Sequence, residues 1–74
     1  MPTLLRAAGM LKDYLGGRAE ISVEPGQTVR EMLQALKIPS EVVAFVAVNG
    51  NQQTKDYVLQ EGDLVKILAV IGGG

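Results

Sequence analysis

The segment TVREMLQAL, residues 28–36, decides the fold class of this sequence. Thr28 and Glu31 match a capping box, in which each side chain binds the other residue's backbone N–H and starts a helix. The apolar residues that follow lie at i, i+3, i+4 and i+7, the spacing of one helix face: Val29, Met32, Leu33 and Leu36. A helix with one apolar stripe needs one apolar surface to cover it. The sequence therefore predicts a single amphipathic helix, ended by Pro39, that packs on one face of a sheet.

The segments around this helix have the patterns of β-strands. Residues 3–8 place Leu5 and Ala7 on one side, and residues 18–24 alternate, with Ala19, Ile21 and Val23 on the inner side. Residues 42–48 are almost wholly apolar, which predicts a well-buried strand, and residues 64–71 form the last strand. A short helical segment is expected at 10–15 and a weak edge strand near Gln52-Gln53, with turns at Pro25-Gly26, Asn49-Gly50 and Gly62-Asp63.

Together these elements predict an α+β domain. Its mixed sheet has four or five strands, one main helix packs across one face, and the first and last strands are neighbours. A chain of 74 residues is one domain, and 47% hydrophobic residues are enough for a folded core.

Charge and composition exclude several classes of function. The net charge is −1 and the basic residues are scattered, which argues against binding nucleic acid through its phosphates. No apolar run approaches the roughly 18 residues of a membrane span, so no membrane partner is expected. The first 15 residues do not resemble a signal peptide, because Lys12-Asp13 interrupts the apolar stretch. The expected location is the cytoplasm.

Catalysis by this chain alone is not expected. It has no Cys and no His, which removes the thiolate nucleophile, the commonest general base and the commonest metal ligands. The hydroxyl groups therefore have no histidine to activate them. The carboxylate pairs Glu20/Glu24 and Glu61/Asp63 are interpreted as solvated charges on a strand and in a turn. We predict no catalytic residue, no metal site and no bound cofactor.

The C-terminus is the most unusual feature. A strand rich in Val, Ile and Leu runs directly into Gly72, Gly73 and Gly74. Glycine loses more backbone entropy on ordering than any other residue, so a packing role for this segment is hard to find. Three extended residues reach about 10 Å and, lacking side chains, could present the α-carboxylate inside a narrow channel of another protein. From the residues alone, this interpretation and that of a frayed end are equally open.

Three segments carry a resemblance to a known family: PGQTVREMLQAL, VAVNGN and DYVLQEGDLVKILAVIGGG. In this order and spacing they resemble the ubiquitin-like sulfur carriers, which include the small subunit of molybdopterin synthase and the sulfur carrier for the thiamine thiazole. The resemblance implies a β-grasp domain over residues 1–71 and a flexible tail over residues 72–74. The early segment LLRAAGMLKDYLGGRAEISVEPG is more similar to the molybdopterin-synthase subunit.

The resemblance also implies a function. A partner activating enzyme would adenylate the C-terminal carboxylate with ATP, and a sulfur donor would convert it to a thiocarboxylate for a sulfur-accepting synthase subunit, most simply in molybdopterin formation. The attachment residue would be Gly74, or alternatively Gly73, because the family normally ends in Gly-Gly and this chain has a third glycine. The sequence also has Ala69-Val70 where the family commonly has a proline. The alternative is a ubiquitin-like protein modifier or a non-catalytic β-grasp interaction module.

The last strand also predicts a partner-binding patch. Its residues alternate, and Lys66 is costly to bury unpaired, so its face should point away from the helix. Leu68 and Val70 would then be exposed beside the glycine tail, and Phe45, the only Phe, joins them if the register of its strand allows. One helix cannot cover both sheet faces in so short a chain, which favours an apolar docking patch here.

Overall fold

The computed structural model describes residues 1–69, and five strands form one mixed sheet. The elements run β1 (Thr3–Ala7), a 3-10 helix (Gly9–Leu15), β2 (Glu20–Val23), α1 (Val29–Ala35), a second 3-10 helix (Ser40–Val42), β3 (Val43–Val48), β4 (Asn51–Gln52) and β5 (Leu64–Ala69). The strand order is β2-β1-β5-β3-β4. β1 and β5 are parallel neighbours, and the other pairs are antiparallel. The predicted α+β architecture and the pairing of the first and last strands are confirmed.

Helix α1 begins at the predicted capping box. The Glu31 N–H donates to Thr28 Oγ1 at 3.1 Å, and the Thr28 N–H donates to Glu31 Oε1 at 2.8 Å. The helix ends at Ala35, earlier than the predicted stop at Pro39. Lys37 follows with φ 59°, and the Ile38 N–H donates to the Leu33 carbonyl at 2.9 Å, which closes the helix end in a Schellman motif.

The core lies between α1 and the inner face of the sheet, as the apolar stripe predicts. Val29, Met32 and Leu33 are buried, whereas Leu36, the C-cap residue, is only partly buried. The 3-10 helix after β1 adds two more buried residues, Leu11 and Leu15. The sheet side of the core consists mainly of buried residues from β1, β3 and β5: Leu5, Ala7, Val43, Val46, Val48, Val65 and Ile67. Ile21 and Val23 pack against its margin, but Ala19 precedes β2 and is exposed, contrary to its predicted inward position.

Residues 42–48 are predicted to form a well-buried strand, but a bulge in β3 exposes two of its residues. The register pairs Val43 with Ala69 but Phe45 with Leu68, so an extra residue lies between the two pairs. Strict alternation would place Phe45 on the same inner face as Val43. Because the bulge reverses the alternation, Val46 and Val48 are buried, and Ala44 and Phe45 are exposed.

Asp63 is buried, which corrects its interpretation as a solvated turn charge. Asn49 Nδ2 donates to Asp63 Oδ1 at 2.8 Å, while the Tyr57 hydroxyl and the Gln60 N–H donate to Asp63 Oδ2 at 2.8 and 2.9 Å. Burial alone would raise the pKa of Asp63, but these hydrogen bonds to the charged form outweigh it and lower the pKa below its ordinary value. The pKa of Tyr57 is raised above its ordinary value. The main cause is the hydrogen bond from its hydroxyl to Asp63, and burial is the second cause. Glu61, in contrast, is exposed, as expected.

The Asn49-Gly50 turn forms as predicted. Both residues have positive φ, 53° and 86°, which suits the tight connection from β3 to β4. Within residues 1–69, no helix is long and apolar enough to cross a membrane. The same residues contain no group of His, Cys, Asp and Glu side chains placed to hold a metal ion.

Candidate functional site

The candidate site is the sheet face that α1 does not cover, near the end of β5. Along β5, Val65 and Ile67 point into the core, and Lys66 and Leu68 point to solvent. Leu68 is 49% exposed. The prediction that Lys66 marks the solvent face is confirmed.

Phe45 and Leu68 form an exposed apolar pair, which we call the docking patch. They are register partners on the adjacent strands β3 and β5, so their side chains are cross-strand neighbours on the same face. Phe45 is 36% exposed. The β3 bulge creates this arrangement by turning Phe45 outward. Val70, the third residue predicted for this patch, lies outside the described residues, and binding of a partner to the patch stays a prediction.

A charged row crosses the same face next to the docking patch. Glu20 of β2 is the register partner of Arg6 of β1, and Arg6 is the partner of Lys66 of β5. Arg6 Nε donates to Glu20 Oε2 at 2.6 Å. The three residues of this row also line an open pocket of about 490 Å³, together with Ala7, Ala8, Ala19, Ile67 and Leu68.

Both features lie close to the point where the chain leaves the described structure. β5 ends at Ala69, one residue after Leu68, and the chain then continues to Gly72, Gly73 and Gly74. The predicted tail and its attachment residue, Gly74 or alternatively Gly73, are outside the described residues. The Asp63 cluster precedes the first residue of β5, at the far end of the strand. What this surface offers is therefore exposed apolar area beside a row of charged side chains.

The topology identifies the class of protein. Residues 1–69 form a mixed five-stranded sheet with parallel first and last strands and one α-helix across one face, which is the topology of the ubiquitin-like β-grasp. The family model described as the ThiS family matches residues 8–74, and the chain belongs to this family. The sequence-based assignment to the ubiquitin-like sulfur carriers is thereby confirmed. Among curated proteins, none matches this sequence significantly.

Solved structures agree with the fold. Urm1 from Trypanosoma brucei superposes with a TM-score of 0.73 at 18% identity, covering 99% of this chain and 95% of that one. A Pyrococcus furiosus protein assigned to subunit 1 of a molybdopterin converting factor gives 0.71 at 20% identity, covering 96% and 99%. The complex of subunits 1 and 2 of the Helicobacter pylori molybdopterin-converting factor contains a chain that gives 0.61 at 18% identity, with both chains fully covered.

Sequence reasoning missed the charged row and the Asp63 cluster. Both depend on contacts between segments far apart in the chain: Arg6 and Lys66 are 60 positions apart, and Asn49 and Asp63 are 14 apart. One available signal was strand alternation, because Arg6 lies between the inward Leu5 and Ala7 in the sequence, as Lys66 lies between Val65 and Ile67. For Asp63, the nearby Asn49 turn and Tyr57 were the available donors, but only the folded loops bring them together.

Proposed function

We propose that this chain carries sulfur on its C-terminal carboxylate. A partner activating enzyme adenylates the carboxylate with ATP, and a hydrosulfide equivalent then converts it to a thiocarboxylate. The proposal is supported most directly by membership in the ThiS family together with the glycines that follow β5. The partner consumes ATP, and the carrier itself needs no cofactor.

The chemistry explains why an activating partner is needed. A carboxylate is a poor acyl electrophile, so one of its oxygens attacks the α-phosphorus of ATP, forming an acyl-adenylate and releasing pyrophosphate. Hydrosulfide then attacks the acyl carbon, the C–O bond to AMP breaks, and the thiocarboxylate forms with loss of a proton. No oxidant or reductant is needed when the donor is at the level of sulfide.

In this proposal, residues of this chain bind the partner and help to position the C-terminal carboxylate. Leu68 and Phe45 would offer apolar area to the partner, and Leu68 lies one residue before the last described residue of β5. β5 is the central strand of the sheet, hydrogen-bonded on both sides, which gives the tail a rigid base. Such placement matters because acyl transfer loses rate steeply when the reacting atoms are misplaced by about 1 Å.

We further propose that the sulfur acceptor is a synthase subunit in molybdopterin formation, in the cytoplasm. The support is the likeness of the fold to subunit 1 of molybdopterin-converting factors, one of which forms a complex with subunit 2. That likeness supports a synthase partner.

The test is a reconstituted activation reaction. The full chain is incubated with its cognate activating enzyme, ATP and sulfide, and the intact mass is measured. We expect a mass change equal to replacement of one oxygen by sulfur, dependent on ATP. No change, under conditions where the enzyme exchanges pyrophosphate with another carrier, would contradict the proposal.

A ubiquitin-like protein modifier is the second candidate, because the same acyl-adenylate can react with a lysine amine instead of sulfide. The glycine-terminated β-grasp chain is compatible with both outcomes. Amide-linked adducts of higher mass in cells, lost when the tail is removed and formed without a thiocarboxylate, would favour the modifier. A β-grasp interaction module would give neither product.

A further inference from the structure

Lys66 is an exposed charged residue on the central strand of the sheet. Its cross-strand neighbours are Arg6 on β1 and Ala47 on β3. Within residues 1–69, the salt bridges are Met1–Glu61, Arg6–Glu20 and Arg30–Asp56, and none includes Lys66. The Lys66 side chain is exposed beside the apolar Leu68, in the open pocket described above.

The charge of Lys66 is not balanced by the row in which it lies. Like charges directly opposite each other on neighbouring strands destabilise a sheet. Glu20 offsets the charge of Arg6 from the other side, and its carboxylate is held there by the 2.6 Å contact. The positive end of the row is therefore Lys66, which borders the docking patch.

We propose that Lys66 binds an acidic side chain of the partner that docks on Phe45 and Leu68. This inference rests on the proposed function, because it assumes that the docking patch binds the activating enzyme. When an apolar partner surface covers Leu68, water is excluded and the ammonium group loses solvation unless an anion replaces it. A carboxylate at this position supplies the charge, and the pair is stronger in the desolvated interface than in water.

The pocket chemistry favours one carboxylate over a phosphate. Glu20 also lines the pocket, so a multiply charged anion would meet a negative charge on one side. A single Asp or Glu side chain needs only one ammonium group and leaves the Arg6–Glu20 pair intact.

Charge substitution at Lys66 tests this proposal. Affinity for the activating enzyme is measured for the full chain and for Lys66→Gln, Lys66→Glu and Lys37→Glu at two salt concentrations. Lys66→Glu places a carboxylate opposite Arg6, so folding should not suffer, and melting curves check this. Lys37→Glu makes the same charge change at an exposed site at the end of α1.

We expect Lys66→Glu to weaken binding at least about tenfold, equivalent to about 1.4 kcal/mol. Lys66→Gln should weaken it less, and both Lys66 variants should lose part of the salt dependence that a charged contact gives. Lys37→Glu should bind like the unchanged protein.

Three results separate this inference from the proposed function. Unchanged affinity and salt dependence of both Lys66 variants, with binding weakened by Leu68→Asp, would overturn the role of Lys66 and leave the carrier function intact. Amide shifts around Lys66 on titration with inorganic phosphate, with no effect of Lys66→Glu on enzyme binding, would replace it with a small-anion site. Failure of the unchanged chain to form a thiocarboxylate would instead contradict the proposed function.

Discussion

At the scale of the residue, Asp63 stabilises the loops that precede β5. Its carboxylate accepts hydrogen bonds from the 49–50 turn and from the 57–60 segment, so one buried charge connects three parts of the chain. At the same end of the sheet, Thr3 Oγ1 donates to the Gln60 carbonyl at 2.9 Å. Asp63 therefore belongs to the stability of the fold rather than to its reactivity.

We predict that Asp63→Asn destabilises the protein by about 1–3 kcal/mol, because an amide cannot accept from every donor around this site. The folded pKa of Asp63 is lowered, so its ionisation contributes stability above the unfolded pKa of about 3.9, and this contribution is lost as the pH falls through the folded pKa. Denaturation curves measured from pH 7 to acidic pH should show that the free energy of unfolding falls less for the variant than for the unchanged protein. Glu61→Gln, at an exposed neighbour, is the control, and an equal effect there would contradict the assignment.

Replacement of Lys37 by glycine is predicted to stabilise the protein, in contrast to the replacement of Asp63. Its φ of 59° lies in the left-handed region, which strains any residue with a Cβ, and glycine is the usual residue at this position of a Schellman motif. Lys37→Gly should stabilise the protein by roughly 0.5–1 kcal/mol. Lys37→Ala removes the same charge but keeps the Cβ, so it should give no such gain. Equal gains for both would show that the effect comes from charge rather than from the backbone.

At the scale of the element, α1 supplies one side of the core. Leu33 is 1% exposed and is the residue whose carbonyl closes the helix end. Leu33→Ala should cost roughly 2–5 kcal/mol, a large share of the stability of so small a domain. Gln34→Ala, on the exposed side of the same helix, should change the midpoint of chemical denaturation little. An unchanged midpoint for Leu33→Ala would contradict the packing described for α1.

The docking patch, formed by the β3 bulge and the end of β5, is predicted to bind the activating enzyme. Leu68 is half-exposed, so Leu68→Asp should leave the melting temperature nearly unchanged and weaken binding to the activating enzyme strongly. Val58→Asp is a matched control, since Val58 is 44% exposed and lies outside the sheet. Unfolding of the Leu68 variant, or equal weakening by both variants, would contradict the docking role.

The same elements show which parts of the fold could be predicted. The capping box and the apolar stripe of α1 depend on residues within one or two helical turns, so the sequence predicts them. The two faces of β5 could also be predicted, because Lys66 is charged and indicates which face is exposed to solvent. The bulge that exposes Phe45 depends on how β3 pairs with β5, and the burial of Asp63 depends on loops that meet only in the folded chain. The resemblance predicted the site at the chain end, but the charged row beside it required the register of β1 on β5.

At the scale of the whole molecule, the fold separates stability from recognition. One sheet face is covered by α1 and carries the core, and the other presents the docking patch and the charged row beside the strand that leads to the C-terminus. The buried Asp63 cluster lies at the opposite end of β5, so changes there should alter stability without altering the surface offered to a partner. This division suits the proposed carrier function, in which the reacting group is the C-terminal carboxylate.

The most direct test of the account is the location of sulfur after activation of the full chain and of a chain lacking Gly74. Removing one glycine shifts the carboxylate by about 3.5 Å, more than an adenylation site should tolerate. With activating enzyme, ATP and sulfide, we predict that fragmentation mass spectrometry finds one oxygen replaced by sulfur on Gly74 of the full chain, and that the shortened chain reacts much more slowly. A faster reaction of the shortened chain would make Gly73 the attachment residue. Equal reaction of both chains would show that the activating enzyme does not read the length of the tail, and sulfur anywhere other than the C-terminal glycine would contradict the carrier mechanism.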